Sequence, residues 1–305
     1  MDVTLGLHTG PSNTTVDELR ALWRRAEEGP FDWISIWDHL YGADGVSVAN
    51  LEAVALQTAL ALSTTRVRVG ALVYCAAFRH PAVLAKAMTT IDHLCGGRCD
   101  VGLGAGWARY EYEAFGFEWL RRGPRLDLLE ESVRCLRGLL HQRPGETFDF
   151  EGRHLSMSGA VNEPRPVQER LPIWVGGGGE RRTLRIVARH ADGWNVPFVS
   201  PEVFAHKCRV LDEHCAAEGR DPAEVRRSVN VGAATDEASL QRQMGTLAEG
   251  ARAGILMGGR SEIVDALGRY VEAGAQQVNL AVRAPFEHGI IELVADAADE
   301  LRGRR

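Results

Sequence analysis

Residues 66–117 constrain the fold more than any other stretch of the chain. Val67, Val69, Ala71 and Val73 spell a buried strand, and Pro81 then opens a helix at the position where its missing N–H costs nothing. Gly96-Gly97 ends that helix, and residues 98–103 return as a second buried strand. Gly102, Gly104 and Gly106 follow at the strand's exit. Strand, helix and strand in this order form a right-handed βαβ unit with parallel strands. Glycines at the carboxyl end of such a strand let a ligand approach the backbone closely.

The same rhythm runs through the chain. Strand patterns fall at residues 3–7, 31–37, 67–73, 98–103, 172–175, 192–196, 225–231 and 278–282. Helical patterns follow them, among them 15–28 with Leu19, Leu22, Trp23 and Ala26 on one face, and 126–140 with Leu128, Leu129, Val133, Leu136, Leu139 and Leu140. Residues 236–250 and 261–273 read as two consecutive helices, and residues 107–123 as irregular. Residues 144–170 break the alternation with a short hairpin pattern and Pro164 and Pro166, so they read as an excursion. Eight strand–helix units in 305 residues predict an α/β protein, a closed (β/α)8 barrel (TIM barrel) with insertion segments.

Composition narrows the function. A formal net charge of −6 argues against a general nucleic-acid or membrane-surface binder. The six cysteines show no CxxC spacing and read as reduced thiols. The N-terminal residues carry no basic start followed by an apolar run, and no uninterrupted apolar stretch is long enough to span a bilayer, so a cytoplasmic protein is expected.

In a β/α barrel the chemistry sits at the carboxyl ends of the strands. Those ends supply Asp38-His39, residues 73–79, 102–111 and 176–180, and Trp194-Asn195. His39 suits acid–base work because imidazole titrates near neutrality, although a plain loop histidine has the same spelling. Asp38 either orients it or anchors the loop. Glu111 or Glu113 could pair with His39 across the barrel mouth. Gly176-Gly177-Gly178-Gly179, between a strand and a helix, suits a phosphate held by backbone amides and the helix N-terminus. Arg181 and Arg182 could add charge there. Trp107 and Trp194 could wall a planar ligand or simply pack.

Taken in order, Asp38-His39, FRHPAVLAKAMTTIDHLCGGR, GLGAGWARYEYEAFG, RLDLLEE from Arg125 and PIWVGGGGERRTLRIVARHADGWN from Pro172 resemble the bacterial luciferase-like flavin and deazaflavin oxidoreductases. The details are similar to the coenzyme F420-dependent branch. The resemblance implies one barrel domain over residues 1–305 with the excursion at 144–170, usually as a homodimer. It implies a cofactor ring at the barrel mouth, F420 or alternatively FMN, backed by a non-prolyl cis peptide between Leu72 and Val73. The cofactor's phosphate would fall on Gly177, Gly178 and Gly179, with Gly106, Gly176, Trp194 and Asn195 also in the cofactor site. Asp38, His39 and Glu111 would be the catalytic residues for hydride exchange with a small organic substrate. The alternative is an FMNH2-dependent monooxygenase served by a partner flavin reductase.

Two features depart from the F420 pattern. Trp37 stands where many members have a small residue. Lys86 and Lys207 are the only lysines, so Arg79, Arg109 or Arg181 would have to meet an anionic cofactor tail. The outer wall is expected from residues 41–49, 107–119 and the excursion.

Overall fold

Short runs of Val, Ile and Leu buried on both faces favour parallel strands covered by helices, and eight such strands form the frame. They are β1 (Thr4–Thr9), β2 (Trp33–Ile36), β3 (Arg68–Ala71), β4 (Val101–Gly104), β5 (Ile173–Gly176), β6 (Gly193–Pro197), β7 (Arg226–Ala234) and β8 (Gln277–Val282). The computed structural model describes residues 3–42 and 48–303. Residues 43–47 of the expected outer wall lie outside the described residues.

Spatial order follows sequence order around the ring. β1 pairs in parallel with β8 and β2, β2 with β3, and β4 through β8 pair in succession. A parallel bridge between Val69 and Cys99 joins β3 to the strand entering β4 and closes the barrel. The Leu72–Val73 peptide is cis. Just beyond it, Tyr74–Cys75 resumes pairing with Leu103 and Gly104.

The helices form where capping and periodicity place them. Thr15 and Glu18 make a reciprocal capping box at the start of Val16–Glu28, which buries Leu19, Leu22, Trp23 and Ala26. Pro81 begins Pro81–Leu94, and Gly96 and Gly97 follow it at positive φ. The excursion holds a two-stranded hairpin, Phe148–Glu151 against Ser156–Ala160. Its Phe148 ring covers Gly138, where a Cβ would meet the ring at 2.0 Å.

Three segments differ from expectation. Within 107–123 lies the helix Arg109–Phe115, ended by Gly116 at φ 75°. The next helix starts at Arg122, with Pro124 in its first turn, where no intrahelical N–H bond is lost. Residues 236–250 do not form one helix. Glu237–Met244 gives way to 3-10 turns and the four-residue helix Ala248–Ala251. The strand Ile255–Met257 then pairs with the far half of β7, too short to show an alternating pattern.

The amino-terminal end of the barrel is plugged by Asp100, which accepts hydrogen bonds from Trp33 Nε1 at 3.0 Å and Trp174 Nε1 at 3.3 Å and pairs with Arg68. Ligand access is therefore left to the opposite end. All six cysteines are buried and unbridged. Among the described residues no helix is long and apolar enough to cross a membrane, and no group of side chains is arranged to hold a metal ion.

Candidate active site at the carboxyl end of the barrel

A cavity of about 500 Å³ opens at the carboxyl ends of the strands. Its floor is Leu72 and Val73. Val73 can sit there because its neighbours lack side chains. A Cβ on Gly104 would come 2.5 Å from Val73 Cγ2, and one on Gly176 would come 2.8 Å from Val73 Cγ1.

His39 and Glu111 meet in this cavity. His39 Nδ1 donates to Glu111 Oε2 at 2.8 Å, and Glu111 Oε1 accepts the amides of Leu40 at 2.6 Å and Tyr41 at 3.0 Å. Glu111 is only 1% exposed, so these contacts complete the hydrogen bonding of a buried carboxylate. The helix Arg109–Phe115 positions it. Glu113, two residues on, is exposed and pairs with Arg109 at 2.7 Å instead. Trp107 stands edge-on to His39 with ring centroids 5.3 Å apart and is 60% exposed.

Asp38 lines the same cavity but does not orient His39. Its two oxygens take a bidentate pair from Arg79, at 2.6 and 3.0 Å, and Oδ2 also accepts the Cys75 amide at 3.0 Å. Arg79 is thereby occupied, with Glu52 as its further partner, and is not placed to meet a cofactor tail. The Asp38–Arg79 pair ties the end of β2 to the segment after Val73. Beside it Cys75 Sγ and Tyr112 OH are 2.9 Å apart, and burial pushes the Cys75 thiol up to about 11, leaving it neutral.

The glycine run divides. Gly176 and Gly177 line the main cavity, whereas Gly178 and Gly179 line an adjoining depression with Arg122, Arg181 and Arg182; Thr183 borders both. Gly177, at φ 120°, is held by its own contacts. Its amide donates to Asn195 O at 2.9 Å and its carbonyl accepts Trp194 Nε1 at 2.9 Å. The Gly177 amide is therefore taken, while the amides of Gly178 and Gly179 have no acceptor among the described residues. Lys207 braces the turn through Gly178 O and Glu180, each at 2.8 Å.

Trp194 is fully buried, stacked on Phe204 at 5.4 Å, and is not a wall of the cavity. Asn195 does line it and is fixed by Ser228 Oγ at 2.8 Å and Asn230 Oδ1 at 2.9 Å. Gly106, at φ 74°, lies against Tyr112, whose hydroxyl a Cβ there would strike at 2.0 Å.

Several lining residues escape a reading by strand ends alone. His8 comes from within β1, and an apolar upper wall is formed by Phe198, just after β6, together with Met244, Leu247 and Ala251 from the broken segment after β7. Arg283 sits 5.3 Å from the Trp37 ring. Trp37 Nε1 is buried with no hydrogen-bond partner among the described residues. The arrangement offers a flat apolar floor, one orphaned N–H in the wall, a protic pair at the mouth and unclaimed amides beyond. It fits a planar ring carrying a phosphate-bearing side chain.

The profile of the luciferase-like monooxygenases matches residues 2–277. The chain is 32% identical to the F420-dependent glucose-6-phosphate dehydrogenase of Microbacterium testaceum over 205 residues, 66% of this chain and 59% of that protein. It is also 32% identical to the FMNH2-dependent dimethylsulfone monooxygenase of Pseudomonas putida over 152 residues, 50% of this chain and 40% of that one. The chain thus spans about half the length of the curated relatives it matches. Its fold superposes on an F420-dependent secondary alcohol dehydrogenase with a TM-score of 0.87 at 18% identity, covering 99% of each chain. The chain belongs to the luciferase-like monooxygenase family.

Proposed function

We propose that the protein is an F420-dependent oxidoreductase that moves a hydride between the deazaflavin and a small organic substrate. The observation that carries this reading is the His39–Glu111 pair at 2.8 Å, in the same cavity as the Leu72–Val73 floor. When bound, the deazaflavin supplies the carbon that accepts or gives the hydride. What the protein must then supply is a proton at the substrate oxygen.

The carboxylate of Glu111 can only accept, so it fixes the hydrogen of His39 on Nδ1 and leaves Nε2 as the basic nitrogen. His39 Nε2 takes the hydroxyl proton of an alcohol as it becomes a carbonyl, and returns it in the reverse direction. General acid–base help of this kind is worth about 10²–10⁴ in rate. Leu72 and Val73 support one face of the ring. The amides of Gly178 and Gly179, with Arg122 and Arg181 beside them, receive its phosphate. Asp38 acts through structure, holding the β2 end against Arg79.

A second reading, an FMNH2-dependent monooxygenase fed by a flavin reductase, is favoured by the similarity to the dimethylsulfone enzyme. The two separate in one experiment. The purified protein is titrated anaerobically with F420 and with reduced FMN, followed by fluorescence, and oxygen uptake is then measured with reduced FMN. Tight F420 binding without oxygen uptake supports hydride transfer. Preferential binding of reduced FMN with oxygen uptake sinks it.

A further inference from the structure

The cavity contains a second imidazole. His8 lies on β1 in register with Ser35 of β2, and its Nδ1 is 2.8 Å from Ser35 Oγ. Ser35 is fully buried, and among the described residues this is the only hydrogen bond its hydroxyl makes. If Nδ1 carried the hydrogen, the buried hydroxyl hydrogen would have no acceptor. The hydroxyl therefore donates, Nδ1 accepts, and the hydrogen of a neutral ring sits on Nε2. With Nδ1 engaged by Ser35, Nε2 is the nitrogen left to the cavity that His8 lines.

The ring is kept neutral. Burial and the nearby charge of Arg283 lower its pKa to about 3. Trp37 packs against it at 5.2 Å, and the Arg283 guanidinium lies over that same indole. The same cavity is lined by the apolar side chains of Phe198, Met244, Leu247 and Ala251.

We propose that His8 is a substrate-binding residue, presenting Nε2–H to an oxygen of an apolar substrate of the ketone or secondary-alcohol class. This deepens the hydride-transfer reading and rests on it for the reaction. A neutral imidazole N–H polarises a carbonyl without giving up its proton. The two histidines thus divide the work: His39 moves a proton and His8 holds an oxygen.

Two measurements on the full chain without cofactor test this, so that their failure is distinct from failure of F420 to bind. In the first, ¹⁵N-histidine NMR reads the ring state of each histidine, with His8 assigned through His8→Gln. A neutral Nε2–H tautomer at neutral pH, disturbed in Ser35→Ala, is expected. An Nδ1–H tautomer or an imidazolium overturns the proposal. In the second, calorimetry compares acetophenone with α-methylstyrene, which has nearly the same shape but CH2 in place of oxygen. The wild type should bind the ketone about tenfold more tightly, the worth of one hydrogen bond. His8→Leu should erase that preference, and His8→Gln, which keeps a donor, should restore part of it. Equal binding of the two compounds by the wild type, no detectable ketone binding, or a preference that survives in His8→Leu overturns it. A packing role for His8 would change both affinities together and leave their ratio alone.

Discussion

One oxygen of Glu111 accepts His39 Nδ1 at 2.8 Å while the other takes the amides of Leu40 and Tyr41, the two residues that follow His39 in the chain. A single carboxylate thus fixes both the imidazole and the backbone that carries it. The reach is long in sequence, 72 residues, and links the end of β2 to the short helix after β4. Orientation of the base is therefore a property of the barrel mouth as a whole.

Glu111→Gln keeps the shape and reverses the proton. The amide oxygen can still accept from Leu40 and Tyr41, but the amide nitrogen must then donate to His39 Nδ1, which forces the ring hydrogen onto Nε2. The basic nitrogen is lost. Single-turnover oxidation of an alcohol should slow about 10²–10⁴-fold, with F420 affinity unchanged by fluorescence titration. A rate near wild type would remove His39 from the proton path.

Arg79→Leu leaves the buried Asp38 carboxylate, among the described residues, with only the Cys75 amide. Removing one partner of a buried ion pair costs about 3–5 kcal/mol. Urea unfolding should record that loss. Asp38→Asn placed on Arg79→Leu should recover part of it, because the uncompensated charge is gone. Equal stability of the two variants would mean that water reaches Asp38 freely.

How far the sequence could be read follows from what makes a pattern visible. The ring of eight strands was legible because the strands are buried runs punctuated by glycine or proline, whereas strand exits alone allowed either Glu111 or Glu113 to meet His39, and only the family resemblance pointed to Glu111. The role of Asp38 was not legible, since an aspartate beside a histidine has the same spelling whether it serves the ring or, as here, an arginine 41 residues away. Whether Trp194 walls a ligand or packs is undecided by the sequence for a related reason. Alternation along β6 does not say which face meets the helix Pro201–Ala217, whose Phe204 takes the indole. The part of the upper wall made by Met244, Leu247 and Ala251 depends on a helix breaking at Gly245, a local failure of periodicity that a long window averages away. His8 follows directly on the strand read at residues 3–7, but a single histidine with no partner spelled beside it carries no signal of its own.

Gly104→Ala tests the floor. The new Cβ would lie 2.5 Å from Val73 Cγ2, so Val73 must move. Overpacking of this kind costs about 1–3 kcal/mol, and cofactor affinity should fall with it as the floor shifts. Val73→Ala removes the colliding methyls, so the Gly104→Ala/Val73→Ala double variant should be more stable than the sum of the single effects predicts, by about 0.5–3 kcal/mol. Strict additivity in a urea-denaturation cycle would show that the strand ends relax independently.

His8 makes stability depend on pH in a way that isolates its burial. Its pKa is about 3 in the folded protein against 6.5 when exposed, lowered by burial and then by Arg283. Between those values the unfolded chain binds a proton that the folded chain refuses, so stability must rise with pH. The contribution is complete above pH 6.5 and is lost as pH falls from 6.5 toward 3. Each pH unit below 6.5 removes about 1.4 kcal/mol, which amounts to about 2 kcal/mol between pH 8 and pH 5. Other carboxylates and histidines also titrate in this range, so the comparison must be with His8→Gln, which has no ring to protonate. Subtracting the variant's urea-denaturation profile from that of the wild type should leave a curve that is flat above pH 7 and declines below 6.5. Parallel profiles would mean that His8 takes up its proton in the folded state as readily as in the unfolded one, and a histidine able to do so could not serve as a fixed neutral donor.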